Sequence, residues 1–476
     1  MTTEHMVQVN VPGNLGSKRL KVINPTGEGR RKIQISTNLL PLFGFEANTK
    51  VTERSLGLGK GYVIEPAKNF PFKNVKKIYS RTYKRRRNNP FETVSETTSK
   101  KVLDDSIPLS TLIVHVTLMQ DRIIVKPMMN KAFERVSQIL NAKDPLTVFA
   151  ACTSGIDAHA SVKAGFKITS VLEFRPQESR DKRDLTETGA LTALANLEID
   201  NLFNEDIGEV STDYLAWATK NNPASVFTLS LQCDEFSVAK SKSLKEKSLT
   251  DLSSTLDMAY DGLRLIEKLQ FPIVLLEQVP GFSSSPIGRM WDLRLRRMGY
   301  QTHEALIDAR DHDGCTSRKR FFHLATSLPV EFNWPESKER SDKTIFERFI
   351  AHRMNEFRDI THTSSMKKGI ETGRLRIINS ESKWSPSVLK SQSRQAKDSV
   401  VIQKDTGEIL FPDLPLLQTL MGIPEEFNFN AVNSEQCSEQ IGQAVDYPLY
   451  NMIMMKIKDH INNFLAVSNS KPAMAC

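Results

Sequence analysis

The 476-residue chain is poor in cysteine, and the five it has are scattered: Cys152, Cys233, Cys315, Cys437 and Cys476. They form no Cys-x-x-Cys pair and no Cys/His ligand spacing, which argues against structural zinc. An odd count without a framework argues against a disulfide scaffold and fits a reducing compartment. No run of about 18 apolar residues occurs, so no membrane-spanning helix is expected. The polar, charged N-terminus does not read as a signal peptide. Hydrophobic residues make up 39% and charged residues 25%, the balance of an ordinary globular protein. A chain this long is expected to fold as about two to four domains, with cores large enough to need no disulfide or metal staple.

Acidic residues are scarce in the first third. Residues 1–145 carry 25 Lys+Arg against 12 Asp+Glu, a balance of +13 within a chain of net charge +8. A basic segment of this size fits a polyanion partner, most simply nucleic acid, or a solvated surface.

Residues 1–30, with many Gly, Asn and Pro, are expected to form an irregular arm. After them the alternating runs KIQIS, TKVTER and GYVIEP, punctuated by Gly57, Gly59 and Gly61, predict small β-hairpins. STLIVHVTL and RIIVKP add further strands. Between them, KKIYSRTYKRRRNNP (Lys76–Pro90) sets Tyr79 and Tyr83 among cations, with Lys84, Arg85, Arg86 and Arg87 contiguous. Rings and guanidinium groups together suit a nucleic-acid backbone and its bases. The stretch from KIQIS to GYVIEP is similar to small swapped-hairpin DNA-binding domains of transcription regulators. Residues 129–143 read as a connecting helix. From Leu146, the apolar runs LTVFAA, ITSVLEF, PASVFTLSL and FPIVLLEQV alternate with helical stretches, the signature of a parallel sheet covered on both faces. Polar, basic, Ser-rich sequence breaks this rhythm from about 330 to 405, and helical periodicity returns over 412–465.

Short segments within this α/β part carry the chemistry. LTVFAACTSGIDAHASVKAGF (Leu146–Phe166) reads as a strand, a tight turn with Gly155, and a helix. Doubly wound folds bind nucleotides at that first turn, because helix N-terminal amides and small residues allow close approach. VLEF ends the next strand on Glu173, either an exposed strand-end acid or an acceptor for ribose hydroxyls. SLQCDEFS (Ser230–Ser237) puts Cys233 just past the strand VFTLSL. Alone, this is a buried strand-end cysteine or an attacking thiol, and the adjacent Asp234 would raise rather than lower the thiol pKa. FPIVLLEQVPGF (Phe271–Phe282) ends on Glu277, a costly residue to bury without a task. A Cys and a Glu at the C-terminal ends of parallel strands face one crevice. TSRKRFFHLAT (Thr316–Thr326) sets Arg318 and Arg320 before a strand, either as a basic loop or as stabilisers of developing negative charge.

In order and spacing, over about 146–328 and 412–460, these segments resemble the cytosine-C5 DNA methyltransferase family. Phe149 and Gly155 match its Phe-x-Gly-x-Gly-Gly turn, and Cys233, Phe236 and Ser237 its Pro-Cys-Gln-x-x-Ser. Glu277, Val279, Gly281 and Phe282 match its Glu-Asn-Val and following Gly-Phe, and Arg318 and Arg320 its Gln-x-Arg-x-Arg. The segment LMGIPEEFNF (Leu420–Phe429) is also similar, and Gly442, Val445, Pro448 and Leu449 match the family's closing motif. The chain departs from the pattern at Gln232, Asp234, Gln278, Thr316 and Gln443.

The resemblance implies an α/β fold: a doubly wound, Rossmann-like methyltransferase domain with an inserted target-recognition domain and a small β-rich N-terminal domain. The expected boundaries are an arm at 1–30, a basic nucleic-acid-binding module at 31–128 and a catalytic domain at 129–328. A target-recognition region follows at 329–405, and 406–476 completes the catalytic domain. Cys233 would be the nucleophile, Glu277 the partner of cytosine N3 and its amine, and Arg320 the partner of O2, with Arg318 beside it. S-adenosyl-L-methionine, and no metal, would be held by Phe149, Gly155, Glu173, Asp206, Gly442 and Val445. Arg85, Arg86, Arg87, Arg374 and Arg376 are the expected nucleic-acid contacts. The implied activity is methylation of cytosine C5 in double-stranded DNA, in the cytoplasm of a prokaryotic or phage-infected cell. The protein would act as a monomer on DNA or self-associate through its N-terminal module. Methylation of tRNA, and DNA binding without catalysis, are the alternatives.

Overall fold

The computed structural model describes residues 10–25, 29–67, 75–82, 91–177, 181–237, 240–338 and 341–470. The described residues form two compact units, 10–134 and 135–470. The expected contacts Arg85, Arg86 and Arg87, and Tyr83 beside them, lie outside the described residues.

The first unit holds β1 (Gly16–Lys21), β2 (Ile33–Thr37), β3 (Lys50–Ser55), β4 (Tyr62–Pro66), β5 (Lys76–Lys77), β6 (Tyr79–Thr82), β7 (Phe91–Thr97), β8 (Ile113–Met119) and β9 (Arg122–Pro127). Two sheets result, of order β1-β8-β9-β4-β3-β5 and β2-β7-β6. Burial alternates along β2 and β8, as in antiparallel sheets with one face on a core and one toward water. Ile33, Ile35, Val114, Val116 and Leu118 point inward beside Phe43, Phe45 and Tyr62. The structure corrects two expectations. The irregular arm contains strand β1, whose Leu20 packs against this core and whose whole length pairs with β8. The hairpin reading holds for β3 and β4, but β2 pairs with β7, a distant partner that local alternation does not reveal.

The second unit is built on β10 (Thr147–Ala151), β11 (Lys167–Leu172), β12 (Asn201–Phe203), β13 (Val226–Ser230), β14 (Ile273–Gln278), β15 (Gln301–Asp308) and β16 (Lys319–Thr326). Their order is β12-β11-β10-β13-β14-β16-β15. The strands β10 to β14 run parallel, and β16 is antiparallel to both β14 and β15. Strands β10 and β14 are buried throughout because both faces are covered. Val148 and Ala150 join one core, and Phe149 and Ala151 the other. The winding reverses between β10 and β13, and such a switch point opens a crevice at the carboxyl ends of the strands.

A second sheet follows, made of β17 (Arg358–Asp359), β18 (Arg376–Ile378), β19 (Val400–Gln403) and β20 (Ile409–Phe411), in the order β17-β20-β19-β18. Ile360, Met366, Val401 and Ile409 give it a small core of its own. The expected boundary at residue 405 falls between its last two strands. The chain then returns through helices Leu414–Leu420, Ser434–Gln443 and Tyr447–Ser470. Tyr450, Ile453, Ile457 and Ile461 of the last helix share a core with Val148 and Ile168 of the first sheet.

Helix Ser434–Gln443 opens with a capping box in which Asn433 and Gln436 satisfy one another's backbone N–H groups. Replacing Asn433 with Ala is expected to cost about 1 kcal/mol, read as a lower urea midpoint with unchanged m-value.

Candidate active site

Beyond β10 the chain makes a tight turn, with Cys152 at φ 56° and Gly155 at φ 94°. Gly155 caps the helix Ile156–Lys163. A Cβ there would meet Ala193 Cα at 2.8 Å, so glycine answers both the backbone angle and the close approach. The Gly155 N–H donates to Thr153 Oγ1 at 3.0 Å, and the Thr153 hydroxyl donates to Asp157. The second carboxylate oxygen of Asp157, Oδ2, is buried without a partner.

Glu173 follows β11, its N–H donating to the Phe203 carbonyl at 3.0 Å. Its carboxylate lies against Gly189, where a Cβ would meet Oε1 at 2.1 Å. Burial, and then the charge of Asp157, push Glu173 up to about 8. Burial raises Asp157 to about 6, against the opposing Thr153 hydrogen bond. Asp206 follows β12 and accepts the Gly208 N–H at 2.8 Å, closing its turn. Burial drives the Cys152 thiol well up, and Glu173, Asp206, Asp157 and Asp261 add to it. Thus the ends of β10, β11 and β12 gather carboxylates around one turn. An acceptor-rich wall with an orphaned carboxylate oxygen suits a ligand that brings hydroxyls and positive charge.

Cys233 lies three residues past β13. Its carbonyl accepts the N–H groups of Phe236 at 3.0 Å and Ser237 at 2.9 Å, so the loop curls back on itself. The neighbouring strand braces it. The buried Gln278 amide donates to the carbonyls of Leu231 at 2.9 Å and Gln232 at 3.3 Å, and its own oxygen accepts the Val279 N–H. Gln278, one of the departures from the family motif, thereby holds the cysteine loop. Ser230 pairs with Glu277 across β13 and β14, which brings the two strand ends together. Glu277 Oε1 is 2.8 Å from Arg320 Nε. Burial raises the Cys233 thiol most; Arg320 opposes this more strongly than either Asp234 or Glu277 adds to it. Asp234 is therefore outweighed by Arg320, while desolvation keeps the thiol protonated.

Arg318 has a different setting. It is 3% exposed, and its guanidinium donates to the carbonyls of Val388 at 3.3 Å, Gly442 at 3.2 Å and Gln443 at 3.1 Å. Burial pulls it down to about 9. It ties β16 to the inserted segment and to the returning helix. Gly442 also packs on the Leu389 carbonyl, which a Cβ would approach to 2.3 Å. Val445 sits in the core. Phe149 packs its ring against Phe203, Phe227 and Phe271. Arg376 donates to the Ser387 carbonyl at 2.9 Å, whereas Arg374 is exposed. Apart from this site, Asp292, Glu304 and His323 also converge, but Asp292 already holds Arg296 at 3.0 Å. Sequence reasoning missed Gly189 and Asp157. The signal for Asp157 was its place four residues after Thr153, in the first turn of the helix Ile156–Lys163.

A doubly wound sheet with acids beyond two strands and a Cys beside a Glu–Arg pair beyond two others is the architecture of a Rossmann-like methyltransferase. The profile of the C-5 cytosine-specific DNA methylases matches residues 195–459, and the chain belongs to this family. No curated protein matches it. Among solved structures, a Dnmt2 methyltransferase from S. pombe is 15% identical over 66% of this chain and 98% of its own, with a TM-score of 0.51. The Entamoeba histolytica methyltransferase EhMeth is 14% identical over 68% and 99%, with a TM-score of 0.49. A DNA modification methyltransferase encoded within an E. coli prophage is 16% identical over 67% and 99%, with a TM-score of 0.45.

Replacing Arg318 with Ala removes one charged donor from three carbonyls. A loss of at least about 3 kcal/mol is expected, seen as a lower thermal midpoint of the second unit.

Proposed function

We propose that the protein methylates C5 of cytosine in double-stranded DNA, using S-adenosyl-L-methionine, through a covalent adduct on Cys233. The observation that carries this reading is the junction of β13 and β14, where Cys233 and the Glu277–Arg320 pair meet at adjacent strand ends. The base must leave the helical stack to reach such a crevice. Cys233 Sγ, once deprotonated, bonds to C6 and moves electron density to C5. Glu277 shares a proton with N3, and Arg320 steadies the negative charge at O2. Both act from a shared ion pair, so each fixes the other's orientation. S-adenosyl-L-methionine supplies an electrophilic methyl group when bound. Glu173 would accept its ribose hydroxyls, Asp206 its adenine amine, and Asp157 would contribute the unpartnered oxygen. After loss of the C5 proton, the C6–S bond breaks and Cys233 is released.

DNA is favoured over RNA by the inserted segment, which has its own sheet and core and exposes Lys367, Lys368, Arg374 and Lys383. Such a basic segment suits contacts along a duplex. Duplex DNA and transfer RNA, each offered with methyl-labelled cofactor, are expected to differ, with label entering DNA alone. Cys233→Ser should lose label transfer by at least about 10³-fold while still binding cofactor. Label in DNA from the serine variant would sink the adduct.

Cofactor affinity should depend on pH through Glu173. Its carboxyl is largely protonated at pH 7, because its value is raised to about 8. Accepting two hydroxyls favours the ionised form, so binding releases a proton. Kd is then expected to fall by up to about tenfold per pH unit from pH 6 to 8 and to level off above. Titration calorimetry should show this slope vanish in Glu173→Gln. Gly189→Ala, which displaces the Glu173 carboxylate, should weaken cofactor binding by at least about tenfold, with the fold retained by circular dichroism.

A further inference from the structure

The first unit carries an arrangement of charge that methyl transfer does not use. In β1, Leu20 points to the core while Arg19 and Lys21 point outward and are exposed. Arg19 pairs across the sheet with His115 of β8, and His115 pairs with Lys126 of β9. These positions share the outward face, because Val114, Val116 and Val125 occupy the inward one. A row of cationic or titratable side chains therefore crosses three adjacent strands, with Lys21 next to it.

Three other cations of the unit have carboxylate partners: Lys32 with Glu96 at 2.7 Å, Lys76 with Glu53 at 2.7 Å and Arg122 with Glu65 at 2.6 Å. That last pair takes up Glu65 on the strand beyond β9. Among the described residues, no carboxylate pairs with Arg19, Lys21 or Lys126. The outward positions of β1, β8 and β9 also hold no Phe, Tyr or Trp, so the face lacks the stacking platform that unpaired bases need. What it offers is a set of long cations, with Arg19 and Lys126 two strand spacings, about 9.6 Å, apart. This fits a dense line of phosphates, and a DNA duplex carries one charge per about 1.7 Å of its axis.

We propose that the outward face of β1, β8 and β9 binds the backbone of duplex DNA without reading its sequence, as a contact separate from the catalytic crevice. The partner is argued from charge complementarity. The cations are unmatched on this face, and residues 1–145 hold the chain's whole basic excess, +13 of a net +8.

The test uses the full chain and a duplex of only A·T pairs, which offers no cytosine, so its outcome does not depend on whether the enzyme methylates DNA. The variant Arg19→Glu/Lys21→Glu/Lys126→Glu alters exposed side chains only, and Lys101→Glu serves as a control on another element. Both are first checked for unchanged thermal midpoints. The triple variant is expected to bind at least about tenfold more weakly in low salt. Its plot of log K against log salt should be shallower by roughly 2 to 3 units, since each phosphate contact contributes about 0.9. Lys101→Glu should follow the parent. An unchanged slope in the triple variant, or an equal loss in the control, would overturn the proposal. So would tighter binding of duplex RNA than of duplex DNA through the same residues.

Discussion

The catalytic unit depends on one buried guanidinium. Arg318 stands at the entry to β16 and donates to carbonyls contributed by the inserted segment and by the returning helix. Three stretches far apart in sequence are thus fixed to one rigid cation. Lysine could not serve the same purpose, because a point charge on a flexible stem cannot present a planar fork of donors. Two residues on, Arg320 points to Glu277 instead. In a strand, residues two apart share a face; here the approach to β16 is irregular, and the two arginines divide the work. One holds the unit together, and the other meets the reacting base in the proposed reaction.

The crevice has two electrostatic halves. Around β10, β11 and β12, carboxylates crowd together and burial raises their pKa, Glu173 to about 8 and Asp157 to about 6. Around β13 and β14, two guanidinium groups temper a thiol that burial would otherwise push higher. An acidic half suits a cationic, hydroxyl-bearing donor, and a basic half suits a base that accumulates negative charge. The parallel sheet makes this division possible, because it delivers every strand end to the same side.

Much of this was legible in the sequence. Unbroken apolar runs announce buried parallel strands, and position singles out Glu173, Cys233 and Glu277 at or just past their ends, while the roles expected of them come from the family resemblance. The site residues that escaped notice act through shape or through distant partners. Gly189 matters because a neighbouring carboxylate lies where its side chain would be. Gln278 read as a departure from a motif, yet its amide reaches the cysteine loop. Phe149 matches a motif, and strand alternation turns its ring into an aromatic cluster. The pairing of β1 with β8 spans nearly a hundred residues, and no local pattern encodes it.

The helix Tyr447–Ser470 fills the same core as Val148 of β10, and this sets an order of events in biosynthesis. The first strand of the sheet leaves the ribosome some 300 residues before the helix that covers it. At about 5–20 residues per second, its apolar face waits for roughly 15 to 60 s. The sheet is also dominated by distant pairings, which close slowly. The nascent chain must therefore be kept from sticking to its neighbours until the helix that closes this core has been made.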